Sequence, residues 1–297
     1  MVTAVLGGTA APGPANWALD RIDQRMLPLD HRPVPRHGGA GVTIYIIDTG
    51  VRVGHPEFGG RAHAIGDFTT GSPGGPDAND CASPDGHGTL NASLAAGATF
   101  GVAPMATIQA LRAAGGAKCE GDVSAVIRAV EWITSHGRRP AVVNLSFRFA
   151  SPELNGAIQR SVAAGFVYAL SAGTAGDVTK YWGADLPGDV LIVAGTDERD
   201  TAMRDDYGPA LTMFAPSVSV MGAGLREERG GFAPTRQQSG DSYAAPLAAG
   251  VAAGYLERHP SATPREVRQA LIDAATSGVV TNPGRSPNRL LYSDLAR

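Results

Sequence analysis

The chain carries no strong excess of charge. Charged residues are 18% of 297 and their balance is −3. That excludes a polyelectrolyte surface for nucleic acid or an anionic membrane. It has no apolar run long enough to span a bilayer. It has no basic residue ahead of the short apolar stretch that begins at Met1, so that segment does not read as a signal peptide. Cysteine occurs twice, at Cys81 and Cys119. Two thiols suit either two buried inert side chains or one disulfide, and the count does not choose. What is present is apolar and turn-forming. Hydrophobic residues are 43%, enough for a sizeable core, and 39 glycines with 21 prolines imply many loops on a rigid scaffold. No repeat, low-complexity tract or linker divides the chain, so one domain is expected over 17–297 behind a loosely held arm, 1–16.

Strand and helix patterns alternate. Val42 to Asp48, Thr107 to Arg112, Ala141 to Ser146, Phe166 to Gly173 and Val190 to Thr196 read as buried strands. Val123 to His136 and Leu154 to Ala164 have helical periodicity, and 201–239 reads as loop-rich with short strands. Thr263, Pro264 and Glu266 predict a capped helix from Pro264 to Ala275. This pattern predicts an α/β fold with a doubly wound, mostly parallel central sheet flanked by helices. One short helix is predicted within Trp17 to Asp30. Asp20, Asp23 and Gln24 would share one face of it, either as oxygen ligands for a hard cation or as a solvated acidic face.

Three residues sit where a parallel α/β fold places chemistry. Asp48 ends an apolar β-branched run, where sites form along the carboxyl edge of a sheet. His87 lies between two glycines at a helix start. Ser242 opens the small-residue run Ala244 to Ala253, where backbone N–H groups stabilise an anion. Taken alone, Ser242 reads equally as a helix cap, His87 as a structural histidine and Asp48 as a turn cap. Together they supply a nucleophile, a base that works near neutral pH, and a carboxylate that orients the base.

Ile46-Ile47-Asp48-Thr49-Gly50, Asp85-Gly86-His87-Gly88-Thr89 and Ser239-Gly240-Asp241-Ser242-Tyr243-Ala244-Ala245-Pro246 resemble the three active-site segments of the subtilisin-like serine peptidases. The resemblance runs from about Trp17 to Val280 and is strongest to the extracellular proteinase K-like branch. It implies a serine hydrolase with Asp48, His87 and Ser242 as triad and no cofactor for the chemistry. It also implies a disulfide between Cys81 and Cys119. A structural calcium site at Asp20, Asp23, Gln24 and Asp30 is implied too, although Arg32 stands where a further oxygen ligand is expected. Thr212 stands where another calcium carboxylate is expected, so that site is expected to be lost. The substrate strand Cys119-Glu120-Gly121 matches the family pattern.

The departures gather at the chemistry. Thr174 stands where the family places the oxyanion asparagine, and so takes the expected oxyanion role with a shorter side chain. Asp241 replaces the usual threonine before the nucleophile, where a carboxylate repels the oxyanion unless protonated or turned away, or else serves as an extra acid or base. Tyr243 replaces a methionine, and Leu90 replaces a second histidine. Ser146-Phe147-Arg148-Phe149-Ala150 replaces a glycine-rich wall of the primary specificity pocket. The resulting expectation is a narrow-specificity serine endopeptidase, acting as a monomer on a peptide or small acyl substrate. Two alternatives stand beside it: a repurposed enzyme for acyl transfer or cyclisation, and a non-catalytic binding module. Location is expected to be outside the cell if a leader and a pro-segment have been removed, and cytoplasmic otherwise.

Overall fold

The structure, a computed structural model, describes residues 16–32, 38–70, 78–81, 86–116, 118–173, 176–182, 186, 188–203, 206–228, 231–236 and 240–293. Asn16 caps the first helix by accepting from Ala18 N–H; the rest of the expected arm lies outside the described residues.

Side chains alternate across a strand, and here both faces are buried. In β1 (Thr43–Asp48), Ile44 and Ile46 join one apolar cluster while Tyr45 and Ile47 join the other. Eight further strands share its sheet: β2 (Ala62–Asp67), β3 (Thr107–Arg112), β4 (Ala141–Leu145), β5 (Val167–Ser171), β6 (Leu191–Thr196), β7 (Met213–Pro216), β8 (Thr276–Ser277) and β9 (Arg289–Leu290). Their order is β8-β9-β7-β6-β5-β4-β1-β3-β2, and only the β8–β9 pairing is antiparallel. The winding reverses at β1, which has β3 on one side and β4 on the other. Crevices open at the carboxyl ends of strands at such a switch point.

The helices are α1 (Trp17–Asp23), α2 (His87–Ala96), α3 (Val123–His136), α4 (Pro152–Ala163), α5 (Thr179–Trp182), α6 (Ala244–Arg258) and α7 (Pro264–Ala274). Helices α1, α2, α6 and α7 cover one face of the sheet, and α3 and α4 the other. Alanines and glycines make α2 and α6 thin enough to lie close. A Cβ on Gly250 of α6 would stand 2.8 Å from the Ala95 carbonyl oxygen of α2. The capping box on α7 forms as its sequence predicts.

Two expectations fail locally. Helix α1 ends at Asp23, and Gln24 is extended (φ −124°, ψ 156°), so Gln24 does not share a helical face with Asp20 and Asp23. Pro28 cannot continue a helix, and the Gln24 side chain serves the turn that follows. It donates to the Met26 and Pro28 carbonyls and accepts from Asp30 N–H. Within 201–239 the chain builds β7 of the main sheet and a long antiparallel hairpin, Met221–Glu228 with Gly231–Arg236.

Candidate active site

Asp48 is fully buried at the carboxyl end of β1. It accepts Thr49 N–H at 2.7 Å, Asn91 Nδ2 at 2.9 Å and His87 Nδ1 at 2.6 Å. His87 is the first residue of α2, after Gly86 in the left-handed region (φ 73°). Asn91 lies one helical turn on, so a single helix face delivers both donors to one carboxylate. Burial alone would push Asp48 up. The His87 charge, with hydrogen bonds from His87, Thr49 and Asn91, outweighs it and holds Asp48 below the usual carboxylate range. An ionised Asp48 only accepts, so His87 carries its proton on Nδ1 and leaves Nε2 free to take one.

A second carboxylate supports this pair. Asp80 accepts from Thr49 Oγ1, Thr89 N–H and Thr89 Oγ1, each at 2.7 Å. It thereby joins the end of β1 to the first turn of α2. Burial lowers the His87 pKa, but the charge and hydrogen bond of Asp48, with the charge of Asp80, raise it above the ordinary histidine value. Acyl chemistry that needs neutral His87 should therefore show an acid limb with its midpoint above about 6.5. Asp80→Asn should move that midpoint down while leaving the alkaline plateau in place. The pH dependence of Ser242 labelling by a fluorophosphonate reads this directly, and an unmoved midpoint would remove Asp80 from the electrostatics.

Ser242 lies in a 3₁₀ turn, Asp241–Tyr243, that leads into α6. Its Oγ donates to the Ser146 carbonyl at 3.3 Å, and Ser146 Oγ donates to the Ser242 carbonyl at 2.9 Å. The hydroxyl thus points at β4's continuation, and a rotation about χ1 is needed to turn it to the imidazole. The Tyr243 ring is 5.8 Å from the His87 ring, so the two segments abut. Thr174 lies outside the described residues.

A cavity of about 270 Å³ opens beside Ser242, walled by Ser146, Phe147, Arg148, Phe149 and Gly173. The Phe147 ring stacks on His87 at 6.5 Å and meets Phe149 at 5.9 Å. A Cβ on Gly121 would stand 3.0 Å from Phe147 and 3.2 Å from Phe149, so both rings reach across to the facing strand Glu120–Gly121. Beside it Cys119 is bonded to Cys81 (Cα–Cα 5.6 Å). This disulfide ties the substrate strand to the residue after Asp80. A larger cleft, about 770 Å³ around Pro140 and Pro260 to Arg265, lies at the amino end of β4 and holds none of these residues.

Asp241 is buried and its Oδ1 accepts Gly195 N–H at 2.6 Å. It is turned into β6, away from the cavity, and is not a substrate-binding group there. Leu90 fills the core under α2. Thr212 Oγ1 accepts Ile192 N–H and donates to the Val190 carbonyl, which employs it inside the sheet.

The expected calcium set is not assembled. Among the described residues, no three His, Cys, Asp or Glu side chains group closely enough to hold a metal ion. Gln24 is spent on its turn. Asp20 Oδ2 accepts His31 N–H, and Arg21 turns inward to a buried bidentate pair with Asp200 at 2.7 and 2.9 Å. What the acidic residues do share is repulsion. Burial, then the charges of Asp20 and Asp30, raise Asp23 to about 6. A raised carboxylate is a folded-state cost that grows as pH climbs from about 4 to 6 and is complete above that window. With chelator present, Asp23→Asn should therefore have the higher Tm at pH 8, and the two proteins should converge near pH 4. Equal Tm at pH 8 would show that the repulsion is screened.

Asn91 and Asp80 are the site residues that motif reading missed. The i, i+4 spacing of His87 and Asn91 on a small-residue helix is a usable signal. Asp80, in an irregular segment, offers none.

A buried carboxylate, an imidazole bonded to it and a serine at a helix entrance define a serine hydrolase on a parallel α/β sheet. Residues 39–290 match the Subtilase family. The chain is 39% identical over 287 residues to an extracellular serine proteinase of Thermus sp. (strain Rt41A), covering 96% of this chain and 67% of that protein. It is 36% identical to the alkaline serine exoprotease A of Vibrio alginolyticus, covering 94% of this chain and 50% of that protein. The chain thus spans between half and two thirds of these relatives. The crystal structure of a cold adapted subtilisin-like serine proteinase superposes with a TM-score of 0.85 at 34% identity, over 95% of this chain and 99% of that one. The chain belongs to the subtilase family and is a subtilisin-like serine peptidase.

Proposed function

We propose that this chain is a narrow-specificity serine endopeptidase in which Ser242, His87 and Asp48 do the chemistry. The observation that carries this reading is the 2.6 Å contact between His87 Nδ1 and a buried, triply bonded Asp48. A binding module has no need of a desolvated carboxylate held ionised against an imidazole.

Binding of a peptide carbonyl draws Ser242 Oγ from the Ser146 carbonyl toward His87 Nε2. Nε2 takes the Oγ proton as Oγ adds to the carbonyl carbon. Asp48 stabilises the imidazolium that forms. The negative oxygen is received by Ser242 N–H at the helix entrance and, in this reading, by the Thr174 hydroxyl. His87 then gives its proton to the leaving amine, and water repeats the sequence on the acyl-enzyme. Acyl transfer or cyclisation as the main reaction loses its support, because it recruited Asp241, whose carboxylate is committed to Gly195 N–H. The disulfide fits an oxidising compartment, and we assign the protein to the cell exterior.

Intact-mass analysis after exposure to a fluorophosphonate tests the nucleophile. One adduct on the wild type and none on Ser242→Ala is expected. No adduct on either protein would sink the assignment.

A further inference from the structure

The cavity beside Ser242 contains a cation without a counter-charge. Arg148 is exposed, and among the described residues its guanidinium makes no hydrogen bond or ion pair. It is nevertheless held in place. The guanidinium stands 5.2 Å over the Tyr181 ring, a cation–π distance that leaves its N–H edge open. Its stem lies along Gly173: a Cβ there would stand 3.2 Å from Arg148 Cδ and 3.9 Å from Arg148 Cβ. Glycine at 173 is therefore what lets the arginine lie flat against the cavity wall. The carboxylates nearby do not neutralise it. Asp206 flanks the same glycine, 3.7 Å from that Cβ position, but it is buried and forms no ion pair with Arg148. Glu120 is outside the lining, and Asp241 faces β6.

We propose that Arg148 makes this peptidase select an aspartate or glutamate as the residue whose carbonyl Ser242 attacks. That side chain projects from beside the scissile carbonyl into the cavity next to Ser242. A carboxylate there can accept from the guanidinium edge in the paired geometry that arginine offers and lysine does not. Phe147 and Phe149, reaching across to Gly121, narrow the approach and disfavour bulky aromatic side chains. A basic side chain would meet like charge. The inference rests on the peptidase reading, since it presumes a peptide laid along Gly121.

The test separates recognition from hydrolysis. Wild type is titrated with N-acetyl-Ala-Ala-Glu amide and with its glutamine twin, and matched peptide substrates are assayed for kcat/KM. The glutamate peptide should bind about tenfold more tightly, as a charge-assisted contact at an exposed site allows. Arg148→Gln should bring the ratio to about one, and Arg148→Glu should invert it in favour of a lysine peptide. Arg148 is exposed, so neither variant disturbs the core. Equal affinity of the two peptides for wild type, or a preference that survives Arg148→Gln, overturns the proposal. Ser242 labelling reports on the other reading independently. A labelled serine with no acidic preference removes the pocket assignment alone. An acidic preference with an unreactive serine keeps the recognition and removes the hydrolysis.

Discussion

Asp48→Asn is expected to lower kcat by about 10⁴ with little change in Tm or KM, the loss that follows when the carboxylate of such a triad no longer fixes the imidazole. The reason is visible in the donors around it. Asp48 accepts from Thr49 N–H, Asn91 Nδ2 and His87 Nδ1. An asparagine amide has one oxygen and one NH₂ group. If its oxygen takes the Oδ2 place, opposite Asn91, the amide NH₂ faces His87. The imidazole then turns acceptor on Nδ1 and carries its proton on Nε2, where Ser242 needs an acceptor. The side chain is isosteric, so folding should survive. The lost charge also lowers the His87 pKa, so the residual activity should keep its level to lower pH than wild type. A variant with near wild-type kcat at pH 8 would show that Asp48 is not the orienting carboxylate.

Gly88→Ala is expected to cost about 10² in kcat/KM, the usual consequence of moving a reacting group by about 1 Å. A Cβ at Gly88 would stand 2.0 Å from the Gly50 carbonyl oxygen and 3.0 Å from Asp48 Cβ. Neither contact is the end of a flexible side chain. The new methyl group must therefore drive the first turn of α2 away from β1. His87 moves with it, and the 2.6 Å bond to Asp48 opens. The same overpacking should lower stability by about 1–3 kcal/mol. Circular dichroism and thermal melts would confirm a folded variant, and fluorophosphonate labelling would then read the separation. Full activity in Gly88→Ala would mean that α2 can shift without disturbing the pair.

Much of this molecule was legible because its signals are local. Apolar β-branched runs ending at Asp48 and at Thr196 specify buried parallel strands, since only strands covered on both faces stay apolar throughout. Thr263, Pro264 and Glu266 specify a helix start by hydrogen bonds within four residues. The short segments around Asp48, His87 and Ser242 state the chemistry because each residue needs a particular neighbour: a strand end, a glycine that permits close approach, a helix entrance.

The remainder depended on partners far along the chain. The Trp17 to Asp30 stretch predicted a ligand set. The helix stopped at Asp23 instead, and Arg21 found Asp200, 179 positions away. Asp241 was open to three roles until the sheet brought Gly195 N–H against it. Asp80 became part of the site because it closes a gap between Thr49 and Thr89. Phe147 and Phe149 are ordinary apolar residues in sequence and become a cleft wall only because Gly121 faces them. The sequence by itself determined the layers, the reacting groups and the family, since periodicity and short motifs are written in neighbouring residues. Tertiary structure decided which carboxylates serve the imidazole and which charge faces the substrate, since those depend on distances across strands that no local pattern encodes.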